Sequence, residues 1–423
     1  MKDSKIPWIG EIPDDWIVCR IKDVADLYTG NSIKDDDKKK YMDSEDAIPY
    51  IATKDIEAVI YTANYENGLY IKNSDSSFKT ADAQSTLMCI EGGSAGKKKT
   101  LLDRKVAFVN KLCCFSPKEI DGRFLFYFLC SPNFEEEFSK NLSGLIGGVS
   151  VSTLRTLKFV YPKDKRVQEL IADYLDKKCH EMDCVISETK SSIAEYKKLR
   201  QAVITQAVTR GICDDAKMEV SSYRWIGERP VHWDEIKIKW LLDERKERSI
   251  DGTEEPLSMS QKYGLIPTKE MDSIPNMASS FVGAKIVHKG DLVFNKLKAH
   301  LGVFAVSEYE GLVSPDYAVY YSTGRANMKF LELLFKTPQY IGEFKKKSSG
   351  VGEGLTRLYT KDLFSIYCAI PKENEQNDIV KYVVEKITEI DKLIQEKDLI
   401  VQEMEKYKKS LIYEVITGKR KVV

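Results

Sequence analysis

Two long stretches of the chain, residues 166–210 and 375–418, carry hydrophobic residues at alternating spacings of three and four. This spacing predicts α-helices with a narrow apolar stripe, of the kind that forms the seam of a coiled coil. Neither stretch contains a proline or a glycine before its end. Each helix would span roughly 67 Å at about 1.5 Å per residue, which is typical of a spacer or of a docking surface.

The two predicted helices are copies of each other at an offset of 208 residues, because their apolar positions coincide. Thr189 and Lys397 interrupt the same position of both copies. We therefore expect a shared antiparallel coiled coil, although packing of each helix on its own domain alone remains an alternative. The predicted seam residues are Ile171, Leu175, Met182, Ile186, Ile193 and Val203 in the first helix, and Val383, Ile390, Ile394, Val401 and Leu411 in the second.

Shorter apolar runs bounded by Gly, Pro or Asn, such as STLMCI at 85–90 and YAVYY at 317–321, predict strands. Residues 124–144 align without a gap with residues 330–350, and both segments predict an apolar helix, a break at Ser-Pro or Thr-Pro and a short amphipathic helix. Strand-like runs at 157–162 and 364–371 end in proline in both halves. The pattern predicts mixed α/β modules.

A nonapeptide also recurs, WIGEIPDDW at 8–16 and WIGERPVHW at 225–233. Trp, Gly and Pro each fix a packing contact or a backbone angle, so this recurrence indicates a duplicated module. The predicted order is a first α/β domain at 1–162, a first long helix at 163–213, a second α/β domain at 214–371 and a second long helix at 372–423. Antiparallel packing of the helices would relate the halves by an approximate twofold axis.

Composition narrows the class of protein. The 423 residues include 65 Lys plus Arg and 65 Asp plus Glu, so a nucleic-acid site would have to come from local segregation of charge. None of the nine cysteines forms a Cys-x-x-Cys pair, which favours reduced thiols in a cytoplasmic protein. The first residues lack a signal-peptide core and no apolar run is long enough to cross a bilayer, so we expect an intracellular protein without a membrane partner.

Catalytic patterns are weak throughout. EGGSAGKKKT at 91–100 lacks both the first glycine and the hydroxyl residue of a phosphate-binding loop. Asp234 with residues 244–246 has the spacing of a nuclease site but no counterpart in the first half, and the group Cys179, His180, Asp183 and Cys184 falls in the helical pattern rather than in a metal-site spacing. We predict no catalytic residue and no metal site.

Local charge is informative, since seven basic and three acidic residues lie between Lys79 and Lys111. A second basic stretch runs from Lys285 to His300 with a single acid, Asp291. Both stretches lie between strands and beside glycines, where a loop can approach a polyanion closely. Lysines 97–99 suit phosphate contacts, while Asn110, Asn295, Ser314 and Asp316 carry short polar groups suited to base edges. A solvated charged surface is the alternative.

At this point the chain resembles the specificity subunit of type I restriction-modification enzymes, over essentially its whole length. The resemblance rests on the repeated Trp-Ile-Gly-Glu openings, on GDLVFNKLKAHLGVFAVSEYEGLVSPDYAVYY at 290–321, on the junctions at Pro162 and Pro371 and on the endings QAVITQAVTRG and SLIYEVITGK. It implies two target-recognition domains that read the two halves of a split, asymmetric double-stranded DNA sequence. It also implies an antiparallel coiled coil of two helices that docks two methyltransferase subunits and, indirectly, motor-restriction subunits.

The same resemblance implies that the chain itself is not an enzyme and holds no cofactor, with S-adenosylmethionine, ATP and magnesium bound by the partner subunits. Carried over residue by residue, it gives the expected DNA-binding set Lys97, Lys98, Lys99, Arg104, Asn110 and Lys111 in the first domain, and Asn295, Lys296, Lys298, His300, Ser314 and Asp316 in the second. A coiled-coil scaffold that binds only proteins is the alternative function, and a self-sufficient methyltransferase or nuclease is disfavoured by the missing motifs.

Overall fold

The structure is a computed structural model and describes residues 1–58, 60–144, 147–213, 215–260, 263–271, 280–350 and 356–422. These residues form two compact units. Unit 1 comprises residues 1–191 and 397–423, and unit 2 comprises residues 192–396. The units cut both long helices, whereas the sequence pattern divides the chain at the helix ends.

The first module is a mixed α/β structure with two four-stranded sheets, in the orders β6-β5-β10-β7 and β4-β11-β8-β9. A hairpin, β1 with β2, and a pair, β3 with β12, complete it. Its elements are β1 (Lys2–Asp3), β2 (Glu11–Ile12), β3 (Trp16–Arg20), α1 (Ile21–Val24), β4 (Ala25–Thr29), β5 (Ala47–Ile51), β6 (Tyr70–Lys72), β7 (Thr80–Ala81), β8 (Thr86–Cys89), β9 (Lys99–Leu101), β10 (Val106–Phe108), β11 (Leu112–Pro117), α2 (Gly122–Leu129), α3 (Pro132–Lys140), α4 (Val151–Thr156) and β12 (Lys158–Pro162).

The long helix α5 (Lys165–Arg210) leads into the second module, and α9 (Glu373–Ile416) follows it. Between them lie β13 (Met218–Val220), β14 (Glu228–Pro230), β15 (Asp234–Lys237), β16 (Leu242–Glu244), β17 (Leu257–Ser260), β18 (Gly264–Pro267), β19 (Lys285–Val287), β20 (Leu292–Asn295), β21 (Phe304–Val306), β22 (Gly311–Val313), β23 (Tyr317–Ser322), α6 (Met328–Phe335), α7 (Pro338–Lys347), β24 (Ser349–Gly350), β25 (Thr356–Arg357), α8 (Thr360–Phe364) and β26 (Tyr367–Ile370). The mixed α/β class predicted from sequence is confirmed.

The two modules share the order of one four-stranded sheet. The order β4-β11-β8-β9 in the first module has its counterpart in β16-β23-β20-β21 in the second. The helix pair α2 and α3, with a proline at the start of α3, corresponds in the same way to α6 and α7. The internal repeat seen in the sequence is therefore also a repeat of topology.

The recurrent nonapeptide closes each module. In unit 1, β3 begins at Trp16 and pairs with β12, the strand that feeds α5, and the Trp16 ring packs 6.0 Å from that of Phe124 in α2. In unit 2, β15 follows Trp233 and pairs with β26, the strand that feeds α9, and the Trp233 ring lies 6.2 Å from that of Phe330 in α6. The motif recurs because each long helix needs the same anchored strand before it.

The seam residues of the long helices are mostly buried in the unit to which they belong. In unit 1 these are Ile171, Leu175, Met182, Ile186, Val401 and Leu411, and in unit 2 they are Ile193, Val383 and Ile390. Val203 and Ile394 are only half-buried, and Ile204 is buried beside Val203. An α-helix has about 3.6 residues per turn, so a strict heptad pattern drifts around it and the buried position moves by one residue.

An ion pair fixes the antiparallel register within each unit. In unit 1 the Lys408 ammonium lies 2.6 Å from the Asp183 carboxylate, and in unit 2 the Arg200 guanidinium lies 2.9 Å from Asp391. At the offset of 208 residues Asp183 corresponds to Asp391 and Arg200 to Lys408. The same contact is thus made once in each unit with the roles of the two helices exchanged.

A buried glutamine in the first turn of each long helix ties the helix to its module. Gln168 is 1% exposed, donates its side-chain amide to the carbonyl of Pro162 at 2.9 Å and accepts a bond from the backbone N–H of Asp121, also at 2.9 Å. Asp121 caps α2, so one amide joins a strand end, a helix start and α5. Gln376 makes the corresponding two bonds in unit 2.

Within the described residues, no helix is both long and apolar enough to span a membrane.

Candidate nucleic-acid interface

The two basic loops occupy the same place in the two modules. Residues 90–98 join β8 to β9, and residues 296–303 join β20 to β21. The last residue of β8 pairs with the first residue of β11, and the last residue of β20 pairs with the first residue of β23. Each unit therefore gathers most of its candidate residues at one end of a four-stranded sheet. Arg104 is an exception, because it follows the other end of β9.

Two lysines of unit 1 suit contacts with a phosphate. Lys97 and Lys111 are exposed, and neither side chain has a hydrogen-bond or ion-pair partner among the described residues. The Ile90 N–H donates to the carbonyl of Lys111 at 3.1 Å, which holds the loop beside the start of β11. Lys98 is half-buried and donates its ammonium to the carbonyl of Thr53 at 3.0 Å. Lys98 therefore stiffens the loop while Lys97 and Lys111 stay available.

Lys99 does not fit the predicted phosphate contact. Its side chain is 0% exposed, and its ammonium donates to the carbonyl of Leu129 and to the Glu135 carboxylate, both at 2.8 Å. A buried ammonium without partners is very costly, so this lysine is committed to the interior. Lys99 is the first residue of β9, whose first two residues are both buried, whereas Lys97 lies in the loop that precedes the strand.

Arg104 and Asn110 are exposed but already partnered. The Arg104 guanidinium bonds both oxygens of Asp103 at 2.9 and 3.2 Å and lies 4.5 Å from the centre of the Tyr65 ring. The hydrogen bond from Arg104 lowers the pKa of the Asp103 carboxyl. Asn110 accepts a bond from the Ser32 hydroxyl at 2.6 Å, which orients its amide.

In unit 2, Asn295 ends β20 and its side-chain oxygen accepts the N–H of Leu297 at 3.1 Å. This bond fixes the first turn of the basic loop. Lys298 is exposed and has no side-chain partner among the described residues. Lys298 is thus exposed in the second basic loop, as Lys97 is in the first.

Lys296 stands in a cluster of charges at the same sheet end. It is half-buried, and burial lowers its pKa, as do the neighbouring cations Lys285 and Arg357. Lys285 pairs with Glu244 at 3.2 Å and Arg357 with Asp316 at 2.9 Å, whereas Lys296 has no ion-pair partner in the described part of the chain. An anion placed here would relieve the repulsion among the three cations.

His300 and Ser314 complete the predicted set. His300 is half-buried, and its buried Nδ1 has no hydrogen-bond partner among the described residues. Ser314 is exposed and its hydroxyl accepts the N–H of Asp316 at 3.4 Å. Asp316 is therefore held both by this turn and by Arg357.

Arg357 is a candidate that the sequence pattern does not predict. It lies in β25, 61 positions after Lys296, and reaches the loop because the Leu358 N–H donates to the Lys296 carbonyl at 3.0 Å. In unit 1 the Val149 N–H makes the corresponding bond to Ile90 at 2.9 Å. Only the long-range pairing brings this arginine to the site, so no local signal could reveal it.

Several residues of the weak catalytic patterns are held in other contacts. Among the described residues no group of three or more His, Cys, Asp or Glu side chains could hold a metal ion. Asp183 is committed to Lys408, and Glu244 to Lys285 and Thr360. The loop at 91–100 has Lys99 buried on Glu135 rather than free for a nucleotide.

Comparisons with known proteins show which proteins this chain is similar to. Residues 13–182, which cover most of the first module and the start of α5, match the family described as the type I restriction modification DNA specificity domain. The chain is similar over 97% of its length to the type I restriction enzyme MjaVIII specificity subunit of Methanocaldococcus jannaschii, with 20% identity and 94% of that protein covered. Residues 13–182 thus match a type I DNA specificity domain, and the chain as a whole is similar over nearly its full length to a type I specificity subunit.

Two solved structures of 13% sequence identity share the fold of this chain. A chain from work on complex assembly and conformational transition of the type I R-M system superposes with a TM-score of 0.73, covering 97% of this chain and all of that one. The HsdS subunit from Thermoanaerobacter tengcongensis superposes with a TM-score of 0.54, covering 97% and 98%. The fold thus matches from end to end.

Proposed function

We propose that this specificity subunit recognises a split, asymmetric sequence of double-stranded DNA, with one half-site read by each module. It is the sequence-specific, non-catalytic DNA-recognition subunit of a type I restriction-modification complex. Each basic loop with its neighbouring strand ends would face a DNA groove, where side chains contact phosphates and base edges.

The observation that carries the proposal is the equivalent position of two chemically different surfaces. Unit 1 presents the exposed lysines 97 and 111. Unit 2 presents the half-buried side chains of Asn295, Lys296 and Arg357, with the exposed Asp316 paired to Arg357. Two surfaces with different donors and acceptors should prefer different base sequences. The DNA target is therefore expected to be asymmetric.

The roles of the residues follow from their surroundings. Lys97, Lys111 and Lys298 are exposed and have no side-chain partner in the described part of the chain, so they suit phosphates, which carry no sequence information. Side chains with restrained orientation, such as Asn110 held by Ser32, suit base edges because their donors and acceptors are fixed before binding.

The proposed partners are two methyltransferase subunits and, through them, motor-restriction subunits. S-adenosylmethionine, ATP and magnesium would belong to those subunits, and the complex would act on cytoplasmic DNA. The support is the similarity to type I specificity subunits together with the two long helices, which carry exposed apolar side chains such as Val185 and Leu393.

The test is selection of bound duplexes from a random DNA library by the chain co-expressed with its methyltransferase subunit. We expect enrichment of two short motifs at a fixed separation. Lys97→Ala should weaken binding evenly across sequences and reduce the salt slope by about 0.9 for each lost phosphate contact. Lys177→Ala, an exposed lysine on α5, is the matched control and should change neither quantity.

A scaffold that binds only proteins predicts a different result. Such a chain would enrich no motif, and its complex with the methyltransferase would be indifferent to heparin and to duplex DNA. Enrichment of a single continuous motif would instead contradict the assignment of one half-site to each module.

A further inference from the structure

An arginine and an aspartate form an ion pair at the sheet end of unit 2 that carries the second basic loop. The Arg357 guanidinium donates from Nη2 to Oδ1 of Asp316 at 2.9 Å. Arg357 lies in β25 with 24% of its side chain exposed, and Asp316 directly precedes β23 with 59% of its side chain exposed. Both members of the pair are therefore accessible to a bound molecule.

Asp316 sets the orientation of the guanidinium. The Nε atom of Arg357 is buried and has no hydrogen-bond partner among the described residues. Asp316 is held in turn, because its N–H donates to the Ser314 hydroxyl at 3.4 Å and the next residue, Tyr317, pairs with Asn295. A guanidinium has five N–H donors, so donors on Nη1 and Nη2 remain for a ligand after Asp316 has accepted one.

The surroundings of the pair favour a ligand with acceptor atoms. Lys296 is half-buried, and burial together with the charges of Lys285 and Arg357 lowers its pKa. The carboxylates beside these three cations are those of Glu244 and Asp316, each of which already pairs with one of them. Lys296 has no ion-pair partner in the described part of the chain, so the cluster keeps a net positive charge.

The edge of a base pair suits this ion pair better than a phosphate does. A phosphate bound to Arg357 would place its negative charge next to the exposed Asp316 carboxylate, and like charges this close repel each other. In the major groove a guanine presents the acceptors O6 and N7, which an arginine can bind with two hydrogen bonds. The paired cytosine presents its N4 amino group, from which an aspartate can accept. The pair therefore matches both bases of one G·C pair.

Unit 1 carries different residues at the corresponding positions. The Leu358 N–H and the Val149 N–H make equivalent bonds in the two modules, so Gly148 occupies the place of the arginine. Lys111 directly precedes β11 and occupies the place of the aspartate. A glycine has no side-chain donor, and the exposed Lys111 suits a phosphate. The arginine–aspartate arrangement therefore distinguishes unit 2 from unit 1.

We propose that Arg357, positioned by Asp316, recognises a guanine in the half-site of unit 2, while Asp316 accepts a hydrogen bond from the paired cytosine. This inference rests on the proposed function and adds a base identity at one position of one half-site. Arg357 is then a specificity-determining residue, and Asp316 is a positioning residue that also contacts DNA. Neither residue should influence the sequence preferred by unit 1.

The experiment selects bound duplexes from a random DNA library with the chain co-expressed with its methyltransferase subunit. It compares the wild type with Arg357→Ala, Arg357→Lys and Asp316→Ala. Arg325→Ala is the matched control, because Arg325 is an exposed arginine of unit 2 beyond the far end of β23. The measured quantity is the base preference at every position of both half-sites. A second measurement places 7-deazaguanine, which lacks N7, at the predicted guanine of the selected duplex.

We expect the wild type and the control to require guanine at one position of the half-site of unit 2. Arg357→Ala and Arg357→Lys should each reduce this preference by about 5–150-fold, because lysine keeps the charge but not the two parallel donors. Asp316→Ala should reduce the same preference in part, and every other position should keep its preference. The 7-deazaguanine duplex should bind the wild type more weakly and Arg357→Ala without further loss.

An unchanged guanine preference in both arginine variants would overturn the inference. So would Arg357→Lys binding with wild-type preference while Arg357→Ala loses affinity evenly over all sequences, since that result assigns the arginine to a phosphate. Melting temperatures check that the variants fold, and Arg357→Lys, which keeps a cation beside Asp316, serves if Arg357→Ala is unstable. A wild-type chain that enriches no split motif would instead contradict the proposed function.

Discussion

Replacing Lys99 distinguishes a structural lysine from a DNA contact. Lys99→Met keeps most of the aliphatic stem and removes the ammonium, which is fully buried between the Leu129 carbonyl and the Glu135 carboxylate. Lys97→Met is the matched control, because Lys97 belongs to the same lysine run but is exposed.

The expected loss of stability follows from the two groups that the Lys99 ammonium binds, the Leu129 carbonyl and the Glu135 carboxylate. Breaking a fully buried ion pair by removing one partner costs about 3–5 kcal/mol. Glu135 is 30% exposed, so water compensates part of its loss, while the buried Leu129 carbonyl loses a bond worth about 1–3 kcal/mol. We expect Lys99→Met to lower the free energy of unfolding of unit 1 by about 2–3 kcal/mol, or the melting temperature by about 4–12 °C.

The assay combines thermal melting with hydrogen exchange of α2 and α3, which carry the two partners of Lys99, and with the salt dependence of DNA binding. Lys99→Met should accelerate exchange in these helices and leave the salt slope unchanged. Lys97→Met should leave hydrogen exchange in these helices unchanged and reduce the salt slope of DNA binding. An unchanged melting temperature together with a flatter salt slope for Lys99→Met would contradict the structural role of Lys99 and assign this lysine to the DNA surface.

Three further predictions concern unit 2. Gln376→Leu should lower the free energy of unfolding of unit 2 by about 2–4 kcal/mol in urea, because two buried backbone groups lose their hydrogen-bond partner. The control, Gln395→Leu at the surface, should have little effect. Equal effects of the two substitutions would contradict the role of Gln376 in joining α9 to its module. Burial lowers the pKa of Lys296, so as the pH rises this lysine should lose its charge, and its contribution to DNA affinity, at a lower pH than an exposed lysine does. In titrations of DNA binding between neutral and alkaline pH, Lys296→Arg should abolish this early loss of affinity. Trp233→Phe removes a bond of 3.0 Å to Glu375 and should cost about 1–2 kcal/mol in the same urea assay, so an unchanged midpoint would contradict its anchoring role.

Much of the fold is predictable because it depends on periodicity and on duplication. The apolar spacing predicts α5 and α9 to within a few residues, and the strands before them end at or next to the expected prolines. The recurrent tryptophans mark the start of each module because their rings pack in the core. These signals are local, so a single sequence contains them.

The site is less predictable because its contacts are long-range. Lys97, Lys98 and Lys99 look alike in sequence, yet one is exposed, one binds Thr53 and one is buried on Glu135. Arg357 joins the second site through the bond between Leu358 and Lys296 and through its own ion pair with Asp316, both of which are distant in sequence. Charge clusters locate the sheet ends, but strand direction and distant partners decide which side chains remain free.

The most direct test of the central claim is a map of modified bases in the genomic DNA of the source organism, with and without this gene. We expect methylation at one split, asymmetric motif to disappear on deletion of the gene and to return when the gene is restored. Persistence of every split motif after deletion, in cells whose methyltransferase remains active, would contradict the claim that this chain selects the methylated sequence.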